Sequence, residues 1–255
     1  MTADRPHVLL LAGTAEARQL AARLAADFPH VRLTASFAGA VSDLPDLGVP
    51  TRIGGFGGVT GLIDCLTSEA VTLVIDATHP FAAQMSRNAS EATDRLDLPL
   101  LRLERPAWTP EPGDSWLAVS TLEAAANALP ADARAFLAIG RKDIHCFAHR
   151  SDLFCLARMI EPPAIPLPHT WALVLARPPL TAAEEIRLFR QHRITHVVTK
   201  NSGGGRSYPK LAAARELKLP VIMVERPELP AARVAASVDK VLAYVGEILR
   251  PEFLR

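Results

Sequence analysis

The sequence predicts an α/β protein of two Rossmann-like domains, each a mainly parallel sheet flanked by helices. Apolar runs of strand length alternate with longer stretches of helical period in both halves of the chain, which is typical of successive βαβ units. Between the halves, residues 106–115 are rich in turn formers and lack periodicity, which indicates a linker. We therefore expect one domain over residues 1–106 and a second over residues 107–255.

The first half contains five predicted strands and two clear helices. The strands cover residues 7–11, 31–36, 51–53, 73–76 and 100–103, and the helices cover about residues 15–27 and 82–96. Thr14 stands at the N-cap of the first helix, where its hydroxyl can satisfy a free backbone amide. This order of elements predicts parallel strands joined by helical crossover connections.

Five apolar runs of strand type in the second half are each followed within two residues by a cation. The runs and their cations are 136–139 with Arg141, 153–157 with Arg158, 172–176 with Arg177, 196–199 with Lys200 and 221–224 with Arg226. Because ligands bind outside the carboxyl ends of parallel strands, these side chains should converge on a ligand with several negative charges. The alternative is that they are ordinary structural charges.

The helices of the second half have recognisable start signals. A short helix is predicted over residues 121–129, and Thr181 with Glu184 indicates a capping box, in which hydroxyl and carboxylate each satisfy a backbone amide. The proline-rich residues 161–168 should form a connection, since proline lacks the amide that a central strand needs. The last helix should cover about residues 232–249.

The composition argues against several classes of partner. A chain of 255 residues with 49% hydrophobic and 22% charged residues can bury a substantial core. Its formal net charge of +1 creates no general attraction for nucleic acid or an anionic membrane. No segment approaches the roughly eighteen apolar residues of a membrane span. We therefore expect no nucleic-acid partner and no membrane partner.

Cysteine usage indicates a reducing compartment. The three cysteines, Cys65, Cys146 and Cys155, are odd in number and show no Cys-x-x-Cys spacing. This pattern argues against a disulfide framework and against a zinc site. We expect a cytoplasmic protein without a bound metal.

The first strand-to-helix turn is a candidate site for a dinucleotide pyrophosphate. Gly13 allows close approach of the backbone, and a helix with free amides and a positive dipole end begins with Thr14, Ala15 and Glu16. The turn has one glycine where G-x-G-x-x-G has three, and the Glu16 carboxylate would repel phosphate unless it points aside. A plain tight turn is the alternative.

The end of the second strand discriminates between the two nicotinamide dinucleotides. In NAD-binding folds an acidic residue there holds the ribose 2′-hydroxyl, whereas this chain has Ser36, Phe37, Ala38 and Gly39. A hydroxyl and free amides would accept a 2′-phosphate, which a carboxylate would repel. The sequence therefore favours NADP over NAD, unless Ser36 merely ends a strand.

Two further segments lie where such a ligand would extend. Gly55 belongs to the glycine-dense residues 54–58, which suit a mobile loop, a close backbone approach to a ligand, or a simple flexible turn. The most apolar strand of the first half is followed by Thr78, His79 and Pro80, which should stand at the ligand edge. His79 could donate a proton, and the alternative is a histidine that only hydrogen-bonds backbone.

A glycine-rich loop follows the strand that ends at Lys200. Its amides can form an anion nest for carboxylates or phosphates, and Ser207 with Pro209 marks the start of the next helix. No Gly-Lys-Ser/Thr sequence closes the loop, so ATP hydrolysis is not indicated. The candidate ligand-binding residues of this segment are Lys200, Asn201, Ser202, Gly203, Gly204, Tyr208 and Lys210.

Five segments together resemble the precorrin-6A reductase family of cobalamin biosynthesis. They are GTAEA at residues 13–17, GGFGG at 54–58, DATHPFA at 76–82, RLERPAW at 102–108 and KNSGG at 200–204. The resemblance spans nearly the whole chain, and the segments at 76–82 and 200–204 are its specific parts. It implies an oxidoreductase that uses NADPH to reduce one double bond of precorrin-6A. Hydride would go to C19 and a proton to C18, giving precorrin-6B.

The resemblance also implies a role for each half. The first domain would hold NADPH, the second would hold the tetrapyrrole, and the active site would lie in the cleft between them. The acetate and propionate groups of precorrin-6A match the polyanionic ligand expected from the cations, of which the leading contacts are Arg141, Arg177 and Lys200. Neighbouring enzymes of the pathway are expected partners. No catalytic acid is assigned, since the candidate proton donors are His79, Tyr208, Lys200 and water.

Two other functions fit parts of the pattern. They are a non-catalytic NADP-binding sensor module and a two-domain transferase of nucleotide-sugar type. The missing acid at Ser36 and the cations of the second half favour the reductase, because a sensor has no need of a cation-lined edge. A transferase would show no preference for NADPH, which a binding titration would reveal.

Overall fold

The protein consists of two compact units. In the computed structural model, which describes residues 5–38 and 47–249, the first unit contains the chain up to Arg105 together with the chain from Glu228 onward. The second unit is Pro106–Pro227. Each unit contains a six-stranded sheet, and the strand pairs of both sheets are parallel. The predicted α/β class, with two parallel sheets flanked by helices, is confirmed.

Strands and helices alternate along the chain. The elements of the first unit up to the boundary are β1 (His7–Ala12), α1 (Ala15–Asp27), β2 (Arg32–Phe37), β3 (Thr51–Ile53), α2 (Gly58–Ser68), β4 (Leu73–Asp76), α3 (Ala83–Leu96) and β5 (Leu100–Leu103). Those of the second unit are β6 (Trp116–Val119), α4 (Leu122–Ala128), β7 (Arg134–Ala138), a 3₁₀ helix (Ile144–Phe147), β8 (Phe154–Met159), β9 (Ala172–Leu175), α5 (Ala182–Gln191), β10 (His196–Lys200), α6 (Pro209–Glu216) and β11 (Val221–Val224). The chain ends in the first unit with β12 (Arg233–Ala235) and α7 (Val238–Ile248).

The first sheet has the strand order β12-β5-β4-β1-β2-β3 and carries helices on both faces. Successive side chains of β1 point to opposite faces. Val8 and Leu10 join the core that includes residues of α1 and α7, whereas Leu9 and Leu11 join the core that includes residues of α2 and α3. All six residues of β1 are buried, because helices cover both faces of the sheet. Each fully buried leucine contributes about 1.5 to 3 kcal/mol to folding.

The second sheet has the strand order β6-β11-β10-β7-β8-β9. Phe136 of β7 packs against Phe189 of α5, and the two ring centroids are 4.9 Å apart. Val197 of β10 and Leu211 of α6 complete this side of the core. Because the strands are parallel, the residues that follow β7, β9, β10 and β11 lie at one edge of the sheet.

The C-terminal segment corrects the predicted division into domains. β12 pairs with β5 and places Val234 beside Arg102, and α7 contributes Val241 and Val245 to the core of the first sheet. The predicted second domain over residues 107–255 therefore stops at Pro227, and the chain from Glu228 onward belongs to the first unit. The predicted break after residue 106 lies within one residue of the boundary between the units.

Three predicted helix starts differ from the structure. The expected last helix of residues 232–249 is divided into β12 and α7, and α7 begins after Ser237, whose hydroxyl accepts from Lys240 N at 3.4 Å. Thr181 Oγ1 donates to Glu184 Oε2 at 2.7 Å and caps no backbone amide. The residue at the N-cap of α6 is Tyr208, not Ser207. Within residues 5–38 and 47–249, every helix is too short or too polar to span a bilayer.

The glycine-dense residues 54–58 form the turn into α2, a helix that the sequence prediction missed. Gly57 caps α2 with a φ of 81°, and Gly58 has a φ of 91°, a conformation that other residues rarely adopt. A Cβ on Gly61 would lie 1.8 Å from the carbonyl oxygen of Phe56. Glycine at position 61 therefore allows the Phe56 backbone to fold back against the first turn of α2.

Candidate functional site

The turn after β1 meets the turn after β4 at the carboxyl edge of the first sheet. A Cβ on Gly13 would be 3.9 Å from the Cα of Thr78. Thr14 Oγ1 accepts a hydrogen bond from Ala17 N at 3.1 Å and donates one to Ala77 O at 3.0 Å. The Thr14 hydroxyl therefore caps α1 and joins it to the end of β4, so the turn can offer a ligand mainly its backbone amides.

Glu16 forms an ion pair that changes the charge expected at this turn. Ala15 and Glu16 lie in the first turn of α1, and Glu16 Oε2 is 2.7 Å from Arg105 Nη1. The carboxylate that would repel phosphate is thereby offset by a cation. Arg105 follows β5 by two residues, so the rule that selected the cations of the second half could also have identified it.

A buried carboxylate organises the turn after β4. Asp76 Oδ1 accepts hydrogen bonds from Thr78 N at 3.1 Å and from Thr78 Oγ1 at 2.6 Å. Asp76 Oδ2 accepts from Ser86 Oγ at 2.6 Å and lies 3.6 Å from Arg102 Nε. These bonds hold the backbone of Thr78 in place beside Gly13. The Thr78 side chain is thus a support for the turn as well as a candidate ligand contact.

His79 and Pro80 continue this turn. His79 Nδ1 accepts a hydrogen bond from Phe81 N at 3.2 Å, so the neutral ring carries its proton on Nε2. A narrow crevice of about 10 Å³ at this edge is lined by Thr14, Glu16, Thr78, Pro80, Leu103 and Arg105. The structure therefore brings the predicted pyrophosphate turn and the segment from Thr78 to Pro80 together.

The candidates at the end of β2 differ in their burial. Ser36 is buried on β2 beside Leu11 of β1, Phe37 is buried, and Ala38 is exposed. Gly39 lies outside the described residues. Within the described chain, Ser36 also has Arg52 of β3 as its register partner, a cation that the sequence prediction did not select.

Gly55 is held by Arg52 in the turn between β3 and α2. Arg52 Nη2 donates to Gly55 O at 2.7 Å, and Nη1 donates to Gly54 O at 2.6 Å. The guanidinium carbon lies 4.0 Å from the centroid of the Phe56 ring. Arg52 could have been found from the sequence, because it is a cation on the short strand that follows β2, and an arginine near the end of the second strand accommodates the 2′-phosphate in NADP-binding folds.

Two of the five strand-end cations in the second unit, Arg158 and Arg226, make contacts that support the structure of the unit. Arg158 lies inside β8, is buried, and forms a 2.7 Å ion pair with Glu185 of α5. Arg226 donates from Nε to Asn201 O at 2.9 Å and from Nη2 to Ser202 O at 3.2 Å. Arg158 therefore does not reach the ligand edge, because its strand extends past it, and the alternative interpretation of this residue as a structural charge is confirmed. Arg226 supports the loop after β10.

The other three cations lie at the carboxyl edge of the second sheet. Lys200 pairs with Asp143, and Arg141 Nη1 is 2.8 Å from Glu161 Oε2. Arg177 follows β9 and is exposed, with no ion pair recorded in the described part of the chain. Two of these cations thus have carboxylate neighbours that hold them in position, and the third is open to solvent.

The side chain of Asn201 holds Trp108 in place. Asn201 is buried, its Oδ1 accepts from Trp108 N at 2.8 Å, and its Nδ2 donates to Trp108 O at 3.1 Å. Ser202 folds back on the strand end, donating from N to Lys200 O at 2.7 Å. The two polar side chains after Lys200 therefore shape the loop, and a ligand would meet the loop chiefly through its backbone.

Gly203 and Gly204 meet a strict steric requirement. Their φ angles are 69° and 74°, and a Cβ on Gly203 would be 2.1 Å from Pro106 O. Gly204 O accepts a hydrogen bond from Trp108 Nε1 at 2.9 Å. Two successive positive φ angles turn the backbone sharply here, and only glycine adopts them without strain.

Tyr208 and Lys210 contribute to the same part of the unit. Tyr208 Oη donates to Glu111 Oε1 at 2.5 Å and accepts from Arg215 Nη2 at 2.6 Å. Burial and the hydrogen bond to Glu111 raise the pKa of Tyr208, which makes it a poorer proton donor. Lys210 is buried and donates from Nζ to Ser207 O at 2.6 Å.

An apolar cavity of about 550 Å³ opens beside the glycine-rich loop. It lies within the second unit between the loop, α5 and α6, and its size is in the range of small-molecule sites. Its walls are formed by Pro106, Ala107, Trp108, Ala182, Gly204, Gly205, Tyr208, Pro209 and Ala212. Trp108, which Asn201 and Gly204 hold in place, was not selected from the sequence.

Comparison with known proteins assigns the chain to a family. The family model described as Precorrin-6x reductase CbiJ/CobK matches residues 7–246. The chain belongs to this family. The match includes the Gly13 turn and the Lys200 loop.

Individual relatives cover almost the full chain. The precorrin-6A reductase of Rhodococcus erythropolis is 48% identical over 247 residues, which are 96% of this chain and 99% of that protein. A solved structure of CobK precorrin-6A reductase has a TM-score of 0.87 and 45% identity, and covers 95% of this chain and 97% of that chain. The cobalt-precorrin-6A reductase of Priestia megaterium is 31% identical over 250 residues, with 92% and 96% coverage.

The family reduces precorrin-6A in cobalamin biosynthesis and uses NADPH. The predicted family, enzyme class and cofactor are therefore confirmed, and a small tetrapyrrole is the substrate.

Proposed function

We propose that this enzyme transfers hydride from NADPH to C19 of precorrin-6A while C18 gains a proton, giving precorrin-6B. The observation that carries the proposal is the contrast between the two sheet edges. The first has a glycine turn at a helix N-terminus with Glu16 offset by Arg105. The second has Lys200, Arg141 and Arg177 at strand ends. A dinucleotide suits the first edge, and a polycarboxylate suits the second.

NADPH would bind the first unit along the carboxyl edge of its sheet. The amides at Gly13, Thr14, Ala15 and Glu16 would receive the pyrophosphate, with the dipole of α1 adding to the attraction. The ribose end would lie toward β2 and β3, near Ser36, Phe37, Ala38 and Gly55. The nicotinamide would lie toward β4, near Thr78, His79 and Pro80. The fit is supported by the position of Gly13 next to the turn after β4, where an added Cβ would lie 3.9 Å from Thr78 Cα.

The tetrapyrrole would bind the second unit through its carboxylates. Arg177 is exposed, and Lys200 and Arg141 are held at the same edge of the sheet by Asp143 and Glu161. Each charge-assisted contact would contribute about 1.5 to 3 kcal/mol. The loop residues Asn201, Ser202, Gly203 and Gly204, with Tyr208 and Lys210, would complete this side of the site.

The role of the protein in the chemistry is to position the reactants. The cofactor supplies the hydride, and transfer needs the nicotinamide C4 about 3 to 3.5 Å from the accepting carbon. For the proton, Tyr208 is disfavoured by its raised pKa and its bond to Glu111. We propose that the donor is His79, with its proton on Nε2, Lys200 or water.

We propose that the natural substrate is metal-free precorrin-6A. The relative named for the metal-free substrate shares 48% identity, whereas the relative named for the cobalt complex shares 31%. Both substrates present the same carboxylates to the cations of the second unit, so charge does not distinguish them. Rates of NADPH oxidation with the two substrates side by side test the choice, and a faster rate with the cobalt complex would reverse it.

Isotope labelling tests the proposed reaction. Precorrin-6A is incubated with the enzyme and NADPH that carries deuterium at C4 of the nicotinamide, and the product is examined by NMR. We expect the label at C19, and in heavy water we expect solvent deuterium at C18. A label at another ring carbon, or oxidation of NADPH without labelled product, would contradict the proposal.

We also propose that the enzyme works in the cytoplasm beside neighbouring enzymes of the cobalamin pathway. Its cysteines are unpaired, which suits a reducing compartment. Burial raises the pKa of Cys155 to about 12, so this thiol is protected from reaction at neutral pH. Cell fractionation and co-purification with pathway enzymes are the corresponding tests.

A further inference from the structure

Arg52 occupies a distinctive position in the first sheet. It lies on β3 as the register partner of Ser36, which in turn is the partner of Leu11 near the end of β1. In dinucleotide-binding folds the end of the second strand meets the ribose 2′-position, where an acidic residue selects NAD and a nearby arginine accommodates the 2′-phosphate of NADP. Arg52 is thus one strand away from the place where that phosphate would lie.

The guanidinium of Arg52 is preorganised. Its Nη1 donates to Gly54 O at 2.6 Å, and its Nη2 donates to Gly55 O at 2.7 Å. Its Cζ atom lies 4.0 Å from the centroid of the Phe56 ring. These contacts fix the orientation of the group, which lowers the entropy lost when a ligand binds. A guanidinium has five N–H donors, so three remain after the two carbonyl bonds.

No ion pair offsets the charge of Arg52 in the part of the chain that the structure describes. Every ion pair within residues 5–38 and 47–249 involves a cation other than Arg52. Arg32, on the opposite end of the neighbouring strand, pairs instead with Glu69. A half-buried cation whose partners among the described residues are two carbonyls and the Phe56 ring is suited to an anion, and guanidinium geometry matches phosphate well.

We propose that Arg52 binds the 2′-phosphate of NADPH and sets the preference of the enzyme for NADPH over NADH. The proposal rests on the proposed placement of NADPH in the first unit. Ser36 supplies a small polar neighbour at the same strand ends, and the absence of an acid at residues 36–38 removes the repulsion that would oppose the phosphate. The competing explanation is that Arg52 only holds the turn of Gly54 and Gly55.

The test uses two small probes that differ by one phosphate. Dissociation constants of 2′,5′-ADP and 5′-AMP are measured by calorimetry for the full chain, for Arg52→Ala, for Arg52→Lys and for the control Arg32→Ala. Wild type should bind 2′,5′-ADP at least about tenfold more tightly than 5′-AMP. Arg52→Ala should lose most of that preference, Arg52→Lys should keep part of it, and Arg32→Ala should keep all of it.

The outcomes separate the explanations. Equal weakening of both probes by Arg52→Ala would assign the residue to the turn alone and overturn the proposal. So would an unchanged preference, whether in Arg52→Ala or, if that variant is unfolded, in Arg52→Gln. A different result would refute the placement of NADPH in the first unit, namely wild-type protein that binds neither probe in competition with NADPH. This would be a failure of the proposed function, and it is distinguishable because it would be seen in the wild-type protein, where Arg52 is unchanged.

Discussion

Individual residues near the sites have roles that depend on contacts distant in sequence. Asn201 and Gly203 were selected from the sequence as ligand-binding residues, yet Asn201 hydrogen-bonds the backbone of Trp108 and Gly203 packs against Pro106 O. The local pattern correctly marked the loop as unusual. It could not show these partners, because they lie more than ninety residues away, and tertiary packing brings them together.

Gly203 provides a direct test of this packing. Gly203→Ala places a Cβ 2.1 Å from Pro106 O at a φ of 69°, so we expect a loss of stability of at least about 1 kcal/mol and weaker tetrapyrrole binding. Thermal unfolding and a binding titration measure the two effects. Gly205→Ala is the matched control, since nothing lies within 4 Å of its added Cβ. Equal behaviour of the two variants would show that the loop tolerates a side chain at position 203.

His7 should make stability depend on pH. Burial lowers the pKa of His7, whose ring contacts Glu69 O and Thr34 Oγ1 at 2.8 and 2.9 Å. The unfolded chain therefore binds a proton more readily than the folded chain, and stability falls as pH drops below about 6.5. In His7→Gln the free energy of unfolding should be lower at pH 8 but should fall less steeply below pH 6.5. A slope identical to that of wild type would assign the acid sensitivity to other groups.

Among the elements, those with strong local patterns were predicted and those with weak ones were missed. β1, α1 and α3 follow from apolar runs and helical periodicity. α2 was missed because glycine at its start lowers helix propensity, and burial of Leu62 and Leu66 compensates for it. β12 was missed because three residues carry little strand signal, and its partner β5 lies far away in the sequence.

Removing the cap of α1 tests its contribution to stability and to NADPH binding. Thr14→Ala removes the bonds to Ala17 N and Ala77 O, so we expect a loss of about 1 to 2 kcal/mol in unfolding free energy together with weaker NADPH binding. Thr121→Ala, which uncaps α4 in the second unit, is the control. It should lower stability and leave NADPH affinity unchanged. Equal NADPH affinities in both variants would show that the Thr14 cap does not contribute to NADPH binding.

The first unit is built from two separate segments of the chain. β12 and α7 complete the sheet and the core that β1 to β5 begin. The sequence shows where the linker lies, because turn formers cluster there. It does not show that the chain returns to the first unit, because an apolar helix can pack on either sheet. Only the complementary surface of α1 and β5 determines which sheet the last helix packs on.

Truncation tests this arrangement. A chain that ends at Pro227 lacks β12 and α7, so we expect it to lose NADPH binding, because the core around α1 is uncovered. The second unit, complete within Pro106–Pro227, should retain a cooperative thermal transition and tetrapyrrole binding. A chain that ends at Leu249 is the control and should bind both ligands. Retained NADPH binding by the shorter chain would show that the last two elements are dispensable for the first unit.

We propose a division of ligands in which the first unit binds NADPH and the second binds the acidic tetrapyrrole. Its most direct test is a pair of equilibrium titrations, with NADPH and with precorrin-6A, on Lys200→Ala and on the control Arg187→Ala, an exposed cation of α5. For Lys200→Ala we expect the tetrapyrrole dissociation constant to rise about tenfold or more and that of NADPH to stay within about twofold of wild type, while Arg187→Ala changes neither. A larger loss of NADPH than of tetrapyrrole affinity in Lys200→Ala would contradict the assignment of the two units.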